Sequence, residues 1–545
     1  MFSSNRGIAR TLFLVAICFA NTTLAVYDTL YHWQYPNEVD GYNRVIQLSH
    51  AGDSNGRLIA TFEHSNNSNP SSFIIRQSND SGTSWHPLAT VLAPEGAPNK
   101  HFWQPSLFEF PKQLGIYPEG TILLVGNLYN DNATEFHSWH STNHGESWKS
   151  TGKWQSAYAN VTDPATGKWT RAGIWEPFVF MDSKDRLVAV FSDERNYTHH
   201  SQMIAHVTSE DGGVSWGDFT LDVADDNQAS RPGMASVAKM DNGEYFMSYE
   251  WCDIHTYPGH PCAVNGKVST DGVTWNPKDN GSAVTTPDHV QADGSPYSIW
   301  DSVGKQLIVS SGSKRQYKVF PSAIGPKAPF VPEDGKIVHI NTNRGRGDWH
   351  WASAPFYSPA GDGSCKNVNY SPNLLALSNS SILFTVKRQI KEGECIESTG
   401  ASSIGILPYT SNFSVSQDAG WIQFNGTWSI SGLLLRASNS ATAPNHFTRY
   451  TAAIDSNRGT LNLYQVAEQK TTTLRSVPIS GGVEANQEYH LSLSATSNKL
   501  VATLTGSGGK KTTLNATDGG LLRGAAGLYG AEGSGGFRNV HITAL

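Results

Sequence analysis

Ser78-Asn79-Asp80-Ser81-Gly82-Thr83-Ser84-Trp85 returns as Ser141-Thr142-Asn143-His144-Gly145-Glu146-Ser147-Trp148 and again as Ser209-Glu210-Asp211-Gly212-Gly213-Val214-Ser215-Trp216. A shorter copy is Ser269-Thr270-Asp271-Gly272-Val273-Thr274-Trp275. The closing tryptophans are 63, 68 and 59 residues apart. In each copy an Asp or Asn side chain can accept backbone N–H groups of a turn, and a Gly supplies the left-handed position. The Trp can pack between neighbouring sheets. Short alternating strands such as 72–76 and 121–125 flank the copies. One turn per unit of about sixty residues predicts a β-propeller, and that period gives roughly six blades between Val26 and Tyr409. The repeated turns are read as structural, with no part in chemistry.

Beyond Leu407 the composition changes. Residues 409–420 form a polar, Ser-rich stretch read as a linker. From 421 to 545, apolar alternation broken by Gly, Asn and Ser turns predicts an antiparallel β-sandwich of lectin or laminin-G type. Its Trp421, Trp428, His446, Tyr450 and Tyr464 serve equally as polysaccharide contacts or as packing. No stretch has helical periodicity of useful length. The expected fold is therefore all-β: a six-bladed propeller over 26–408, then an antiparallel β-sandwich.

Residues 1–25 read as a secretory signal, with Arg6 and Arg10 before a short apolar run and a small-residue site at Thr23-Leu24-Ala25. Cys252, Cys262, Cys365 and Cys395 remain after it, and proximity favours the pairs 252–262 and 365–395 in an oxidising compartment. Many Asn-x-Ser/Thr sites, Asn132 and Asn379 among them, fit a secreted glycoprotein. The net charge is −7 with both signs scattered, which argues against nucleic acid or anionic membrane as partners. Abundant aromatic residues with few charges suit a monomer that stacks rings on the sugars of a polysaccharide or oligosaccharide. No metal or organic cofactor is expected.

Two glutamates stand inside aromatic runs: Glu176 in Ile174-Trp175-Glu176-Pro177-Phe178, and Glu250 in Tyr249-Glu250-Trp251. A carboxylate among large apolar groups is costly to ionise, so it is either paired with a base or kept for chemistry. A propeller brings residues distant in sequence to one central mouth. Glu176 lies between the second and third repeated turns and Glu250 between the third and fourth, which places them on adjacent blades. Two carboxyls facing each other in this way are the apparatus of glycoside hydrolysis.

The repeated turn is similar to the Asp-box of sialidase-like propellers. Trp175 to Phe178, Phe191-Ser192-Asp193-Glu194-Arg195, Arg231-Pro232-Gly233-Met234 and Tyr249-Glu250 together resemble glycoside hydrolase family 93. Gln104-Pro105, Gly115 to Thr121, Ser295-Pro296-Tyr297 to Trp300 and Ser310-Ser311-Gly312 extend the likeness, which runs from about Arg44 to Gly312. The resemblance implies an exo-α-1,5-L-arabinanase on a six-bladed propeller, retaining configuration, with Glu176 and Glu250 as its catalytic pair. We read Glu176 as nucleophile and Glu250 as acid/base, on the understanding that the acid must be the more desolvated of the two. Phe102-Trp103-Gln104-Pro105-Ser106 departs from the run expected of arabinanases, and the loop between Cys252 and Cys262 is distinctive. Both would alter sugar subsites.

The remaining candidates are substrate contacts. Arg44 and Arg231 could bond a sugar hydroxyl or hold a buried acid. Trp103 and Gln104, in the run from His101, could form a sugar platform, and Trp175, Tyr249 and Tyr297 could wall it. Asp193 reads as a cavity residue or as a turn ion pair with Arg195. Trp349 belongs to a polar-aromatic cluster with Arg344, Arg346 and His350, read as touching substrate. Three other functions remain open. One is a sialidase-like hydrolase using Arg44, Arg231 and Arg315 or Arg346, another a non-catalytic glycan-binding propeller, and the last a lyase acting on uronic-acid side chains.

Overall fold

In the computed structural model the described residues are 26–32, 39–66, 69–158, 161–162, 169–170, 172–252, 262–286, 291–312, 337–355, 365, 368–379, 381–392, 394–402, 413–419, 430–438, 448–456, 458–467, 470–483, 489–496, 498–506, 509–518, 525–531 and 538–544. The signal segment, Trp421, Trp428, His446 and Arg315 lie outside them. Among the described residues there is no α-helix, and no helix long and apolar enough to cross a membrane. The chain divides into two compact units, 23–404 and the residues from 405 onward.

The first unit is a six-bladed β-propeller. Blades 1 to 5 are four-stranded sheets whose strands follow chain order. They begin at Val39–Gln47, His101–Glu109, Ile174–Met181, Arg231–Lys239 and Tyr297–Asp301. Blade 6 begins at Asn373–Ala376 and takes Val26–His32 as its outermost strand, paired antiparallel with Glu394–Ser402. The N-terminal strand thus closes the ring. Each blade's first strand packs against the first strands of both neighbouring blades, including blade 6 against blade 1. Apolar clusters fill the seams, such as Phe110, Leu123, Phe136, Ile174, Leu187 and Phe191 between blades 2 and 3.

The repeated turns behave as their chemistry requires. The N–H of Gly82, Gly145, Gly213 and Gly272 bonds the Oγ of Ser78, Ser141, Ser209 and Ser269. The Asp or Asn two residues after each Ser accepts the N–H just before the closing Trp. A fifth turn has the same geometry: Asn341 Oδ1 accepts the N–H groups of Asn343 and Gly345 at 2.8 Å each, and Trp349 closes it. Trp349, expected at the substrate, is instead buried in the seam against Phe246. Arg344 and Arg346 pair there with Asp241 and Glu244.

Every blade carries a left-handed residue at the same place, within or just before its first strand. These are Tyr42 (φ 57°), Gln104 (57°), Glu176 (56°), Met234 (53°), Ser295 (38°) and Ser371 (51°). Bulges at blades 1 to 4 set two residues of the first strand against one of the second. A bulge of this kind re-aims a side chain and frees backbone groups from the ladder. Neighbouring blades satisfy several of the freed amides. Glu63 Oε1 accepts Gln104 N–H at 2.8 Å, Ser192 Oγ accepts Met234 N–H at 3.0 Å, and Glu250 Oε2 accepts Ser295 N–H at 2.8 Å. One rung further in, Ser106, Ser236 and Asn373 accept the N–H of Val179, Ser298 and Val45.

The second unit is an antiparallel β-sandwich of two five-stranded sheets. Its core includes Leu433, Tyr450, Leu463, Leu491, Leu493 and Leu504. Tyr450, proposed from sequence as a polysaccharide contact or as packing, lies in that core with its hydroxyl on Asp518. Within the linker expected over 409–420, Phe413–Ala419 is instead an interior strand, paired with Tyr489–Thr496 on one side and Arg538–Ala544 on the other. Its alternating apolar and polar residues already carry a strand period, which the Ser-rich composition masked. Both disulfides are those that proximity favoured, Cys252–Cys262 and Cys365–Cys395.

Candidate active site

Two of the kinked residues, Gln104 and Glu176, reach a cavity of about 380 Å³, lined by Glu63, Trp103, Gln104, Trp175, Glu176, Glu194, Gln202, Arg231, Glu250, Cys252 and Tyr370. That volume lies within the range of small-ligand pockets. Its residues come from blades 1, 2, 3, 4 and the entry to blade 6.

Glu176 reaches the cavity because of its bulge. Trp175 faces Ser192 across the ladder and Phe178 faces Val190, so Glu176 and Pro177 together stand against the single residue Phe191. Alternation would send Trp175 and Glu176 to opposite faces, but the bulge turns both inward. Gln104 fixes Glu176 twice: its Oε1 accepts Glu176 N–H at 3.0 Å, and its Nε2 donates to Glu176 Oε1 at 3.2 Å. Ser192 donates its hydroxyl to Glu176 Oε2 at 2.6 Å. Burial pushes the Glu176 carboxyl up to about 8. The Ser192 bond opposes that rise, the charges of Glu250 and Glu194 add to it, and Arg231 pulls the other way.

Glu250 stands on the second strand of blade 4, opposite Gly233. It shares the cavity with Glu176 and is held by the amide of Ser295. Cys252, two residues on and therefore on the same face, brings the Cys252–Cys262 disulfide into the wall.

The wall on the blade 2 side is aromatic. Trp103 stacks on Tyr129 at 4.6 Å between ring centroids and on His101 at 5.0 Å, with Trp175 tilted 6.0 Å away. Glu194 is buried beneath it and accepts Trp175 Nε1–H at 2.8 Å, Gly173 N–H at 3.2 Å and an Arg231 N–H. Arg231 also bonds Gln202 Oε1 at 2.7 Å and keeps 43 % of its side chain exposed. Tyr370 closes another side, its hydroxyl held far from ionisation by burial.

Of the residues proposed from sequence, Glu176, Glu250, Trp103, Gln104, Trp175 and Arg231 meet in this cavity. The others do not line it. Asp193 is buried against Arg195, bonding its Nε and Nη2. Tyr249 points into the seam between blades 3 and 4 and bonds Asn280 O at 2.6 Å. Arg44 lies 4.0 Å over the Tyr42 ring and donates to Ser371 Oγ at 2.8 Å, with Tyr297 against its other side. Sequence reading missed Glu63, Glu194, Gln202, Cys252 and Tyr370. Glu194 stood inside a quoted run, one residue from Asp193. Cys252 was legible from strand alternation with Glu250. Glu63 carried no local signal.

Solved structures share the propeller fold. The family 93 α-L-arabinofuranosidase of Fusarium graminearum in complex with arabinobiose has a TM-score of 0.56 and 23 % identity, over 70 % of this chain and 98 % of that one. The Penicillium chrysogenum α-L-arabinanase in complex with arabinobiose has a TM-score of 0.56 and 22 % identity, over 70 % of this chain and 99 % of that one. No protein-family model matches the chain, and no curated protein matches it.

Proposed function

We propose that this chain is a secreted retaining exo-glycosidase that hydrolyses the α-1,5-L-arabinofuranosyl linkages of arabinan or related plant cell-wall side chains. The observation that carries the reading is a pair of carboxyls from adjacent blades in one cavity, one of them held protonated near neutral pH by burial. The two propellers solved with arabinobiose support the choice of sugar. The two disulfides support an oxidising, extracellular setting.

Glu176 is the proton donor in this reading and Glu250 the nucleophile, the reverse of the roles first assigned. The ground is the setting of Glu176 itself: burial, with the charges of Glu250 and Glu194 nearby, disfavours its ionised form, as a proton donor requires. Glu176 gives its proton to the glycosidic oxygen as Glu250 attacks the anomeric carbon, and the leaving chain departs as an alcohol. Glu176, now ionised, takes a proton from water, which displaces Glu250 and regenerates the starting state. Trp103 and Trp175 offer ring faces to the sugar, and Arg231 presents N–H donors to its hydroxyls.

An anionic sugar fits the cavity poorly. Glu63, Glu176, Glu194 and Glu250 line it, and Arg231 is the single Arg or Lys among the described lining residues. That polarity disfavours the sialidase reading and the uronic-acid lyase.

Incubating the purified protein with linear arabinan, branched arabinan and sialyl-lactose, then identifying the products, tests the proposal. Release of a short arabinofuranosyl product from linear arabinan is expected. Release of sialic acid, or binding to arabinan without any new reducing end, would overturn it.

A further inference from the structure

In blades 1 to 4 the second strand offers one equivalent position, opposite the residue just before the kink: Glu63, Asn127, Ser192 and Glu250. Glu63 in blade 1 is therefore the counterpart of Glu250 in blade 4, three blades away on the other side of the ring. Both line the cavity and both accept the kinked amide of the following blade. For Glu250 that amide belongs to Ser295. For Glu63 it belongs to Gln104, the residue that clamps Glu176.

The orientation of the Gln104 side chain is settled by its neighbours. Glu176 N–H can only donate, so the atom facing it at 3.0 Å is Oε1. Asn127 Nδ2 donates to the same oxygen at 3.2 Å. Gln104 Nε2 is thereby committed to Glu176 Oε1. The main chain that carries this clamp is left-handed at Gln104, a conformation that costs a non-glycine residue free energy unless its surroundings hold it. Glu63 supplies such a hold: its Oε1 accepts a hydrogen bond from the N–H of the strained residue itself.

We propose that Glu63 is a positioning residue for the reacting carboxyl, acting through Gln104 and touching no bond that is made or broken. The proposal rests on the reading of Glu176 as a reacting group. Loss of Glu63 lets the kink relax, turns the Gln104 amide, and frees the Glu176 carboxyl to turn away from the glycosidic oxygen it protonates. A misplacement of about 1 Å can cost on the order of 10²-fold in rate. Glutamine at position 63 still offers an oxygen to Gln104 N–H, so it should restore most of what alanine loses.

The experiment compares wild type, Glu63→Ala, Glu63→Gln, Gln104→Ala and the Glu63→Ala/Gln104→Ala double variant on linear arabino-oligosaccharides, with thermal melts alongside. Glu63→Ala and Gln104→Ala should each lower kcat on the order of 10²-fold, with KM nearly unchanged. The double variant should be no worse than Gln104→Ala, since both substitutions break one chain of contacts. Additive losses, an unaffected kcat in Glu63→Ala, or a fall in Glu63→Gln as deep as in Glu63→Ala would each overturn the proposal. Crystal structures of wild type and Glu63→Ala separate it from the functional reading. If wild type cleaves no arabinan, the functional reading fails on its own. The Gln104–Glu176 contact then decides the positioning claim: lost in Glu63→Ala it stands, kept it falls.

Discussion

Ser295 gives its backbone N–H to Oε2 of Glu250 at 2.8 Å, across the seam between blades 4 and 5. One side chain therefore fastens two blades and faces the cavity. A carboxylate held by a neighbouring main chain does not swing away when its partner loses a proton, which is what a preorganised site requires. The two duties separate by substitution. Glu250→Gln keeps an oxygen for Ser295 N–H and should melt within about 1 °C of wild type while losing nearly all turnover. Glu250→Ala leaves a buried amide unpaired and should lose about 1–3 kcal/mol of stability as well. Differential scanning calorimetry beside an arabinan assay checks both.

The roles of the two glutamates can be read from the products of azide rescue. A proton donor is dispensable when the leaving group is already acidic. Glu176→Gln should therefore still cleave an aryl arabinofuranoside and lose about 10²–10⁴-fold on arabinan, the usual worth of general acid–base help. Azide should then trap the Glu250 ester of Glu176→Ala and give a glycosyl azide of retained configuration. In Glu250→Ala azide attacks from the vacated side and the product is inverted. Proton NMR of the anomeric signal distinguishes the two, and the opposite pattern would exchange the roles.

The Glu176 carboxyl, raised by burial from an ordinary value near 4.5 to about 8, links activity and stability to pH. With Glu176 as the proposed donor, its proton is lost as pH passes about 8, so kcat/KM should fall on the alkaline side with a midpoint near there. Stability follows the same proton. Between pH 4.5 and 8 the folded state holds a proton that the unfolded state has released. Unfolding free energy should therefore fall as pH rises through that interval, by up to about 1.4 kcal/mol per pH unit. Glu176→Gln removes this term. Relative to wild type it should be little changed at pH 4 and more stable at pH 8, as urea melts at the two pH values will show.

The propeller was legible in the sequence because its signal is local. Each repeated turn spans seven or eight residues and needs only a hydroxyl, a carboxyl or amide, a glycine and a tryptophan at set offsets. The fifth turn escaped because Asn341 replaces the Ser and Trp349 stands one place further on, although the same N–H groups are satisfied. The site was less legible because two rules act in it by turns. Strand alternation governs Tyr249, Glu250, Trp251 and Cys252, so the aromatic neighbours of Glu250 face away from it while Cys252 shares its face. A bulge suspends alternation at Trp175 and Glu176, and sequence alone does not announce where. Glu63 was invisible because its meaning comes from Gln104, on the next blade.

Trp349 offers the sharpest contrast between a cavity residue and a seam residue. It is 2 % exposed and its ring centroid lies 5.5 Å from that of Phe246, among Met240, Leu307 and Val309. Deleting a buried indole removes its transfer free energy and leaves a cavity that the two blades cannot fully close, at about 3–5 kcal/mol. Trp349→Ala should therefore lower the melting temperature by several degrees. Trp103→Ala removes a ring that lines the cavity and stacks on Tyr129, so its effect should fall on KM. At a temperature where both variants are folded, Trp349→Ala should keep the wild-type KM for arabino-oligosaccharides while Trp103→Ala raises it severalfold. A raised KM in folded Trp349→Ala would return that tryptophan to the substrate's side.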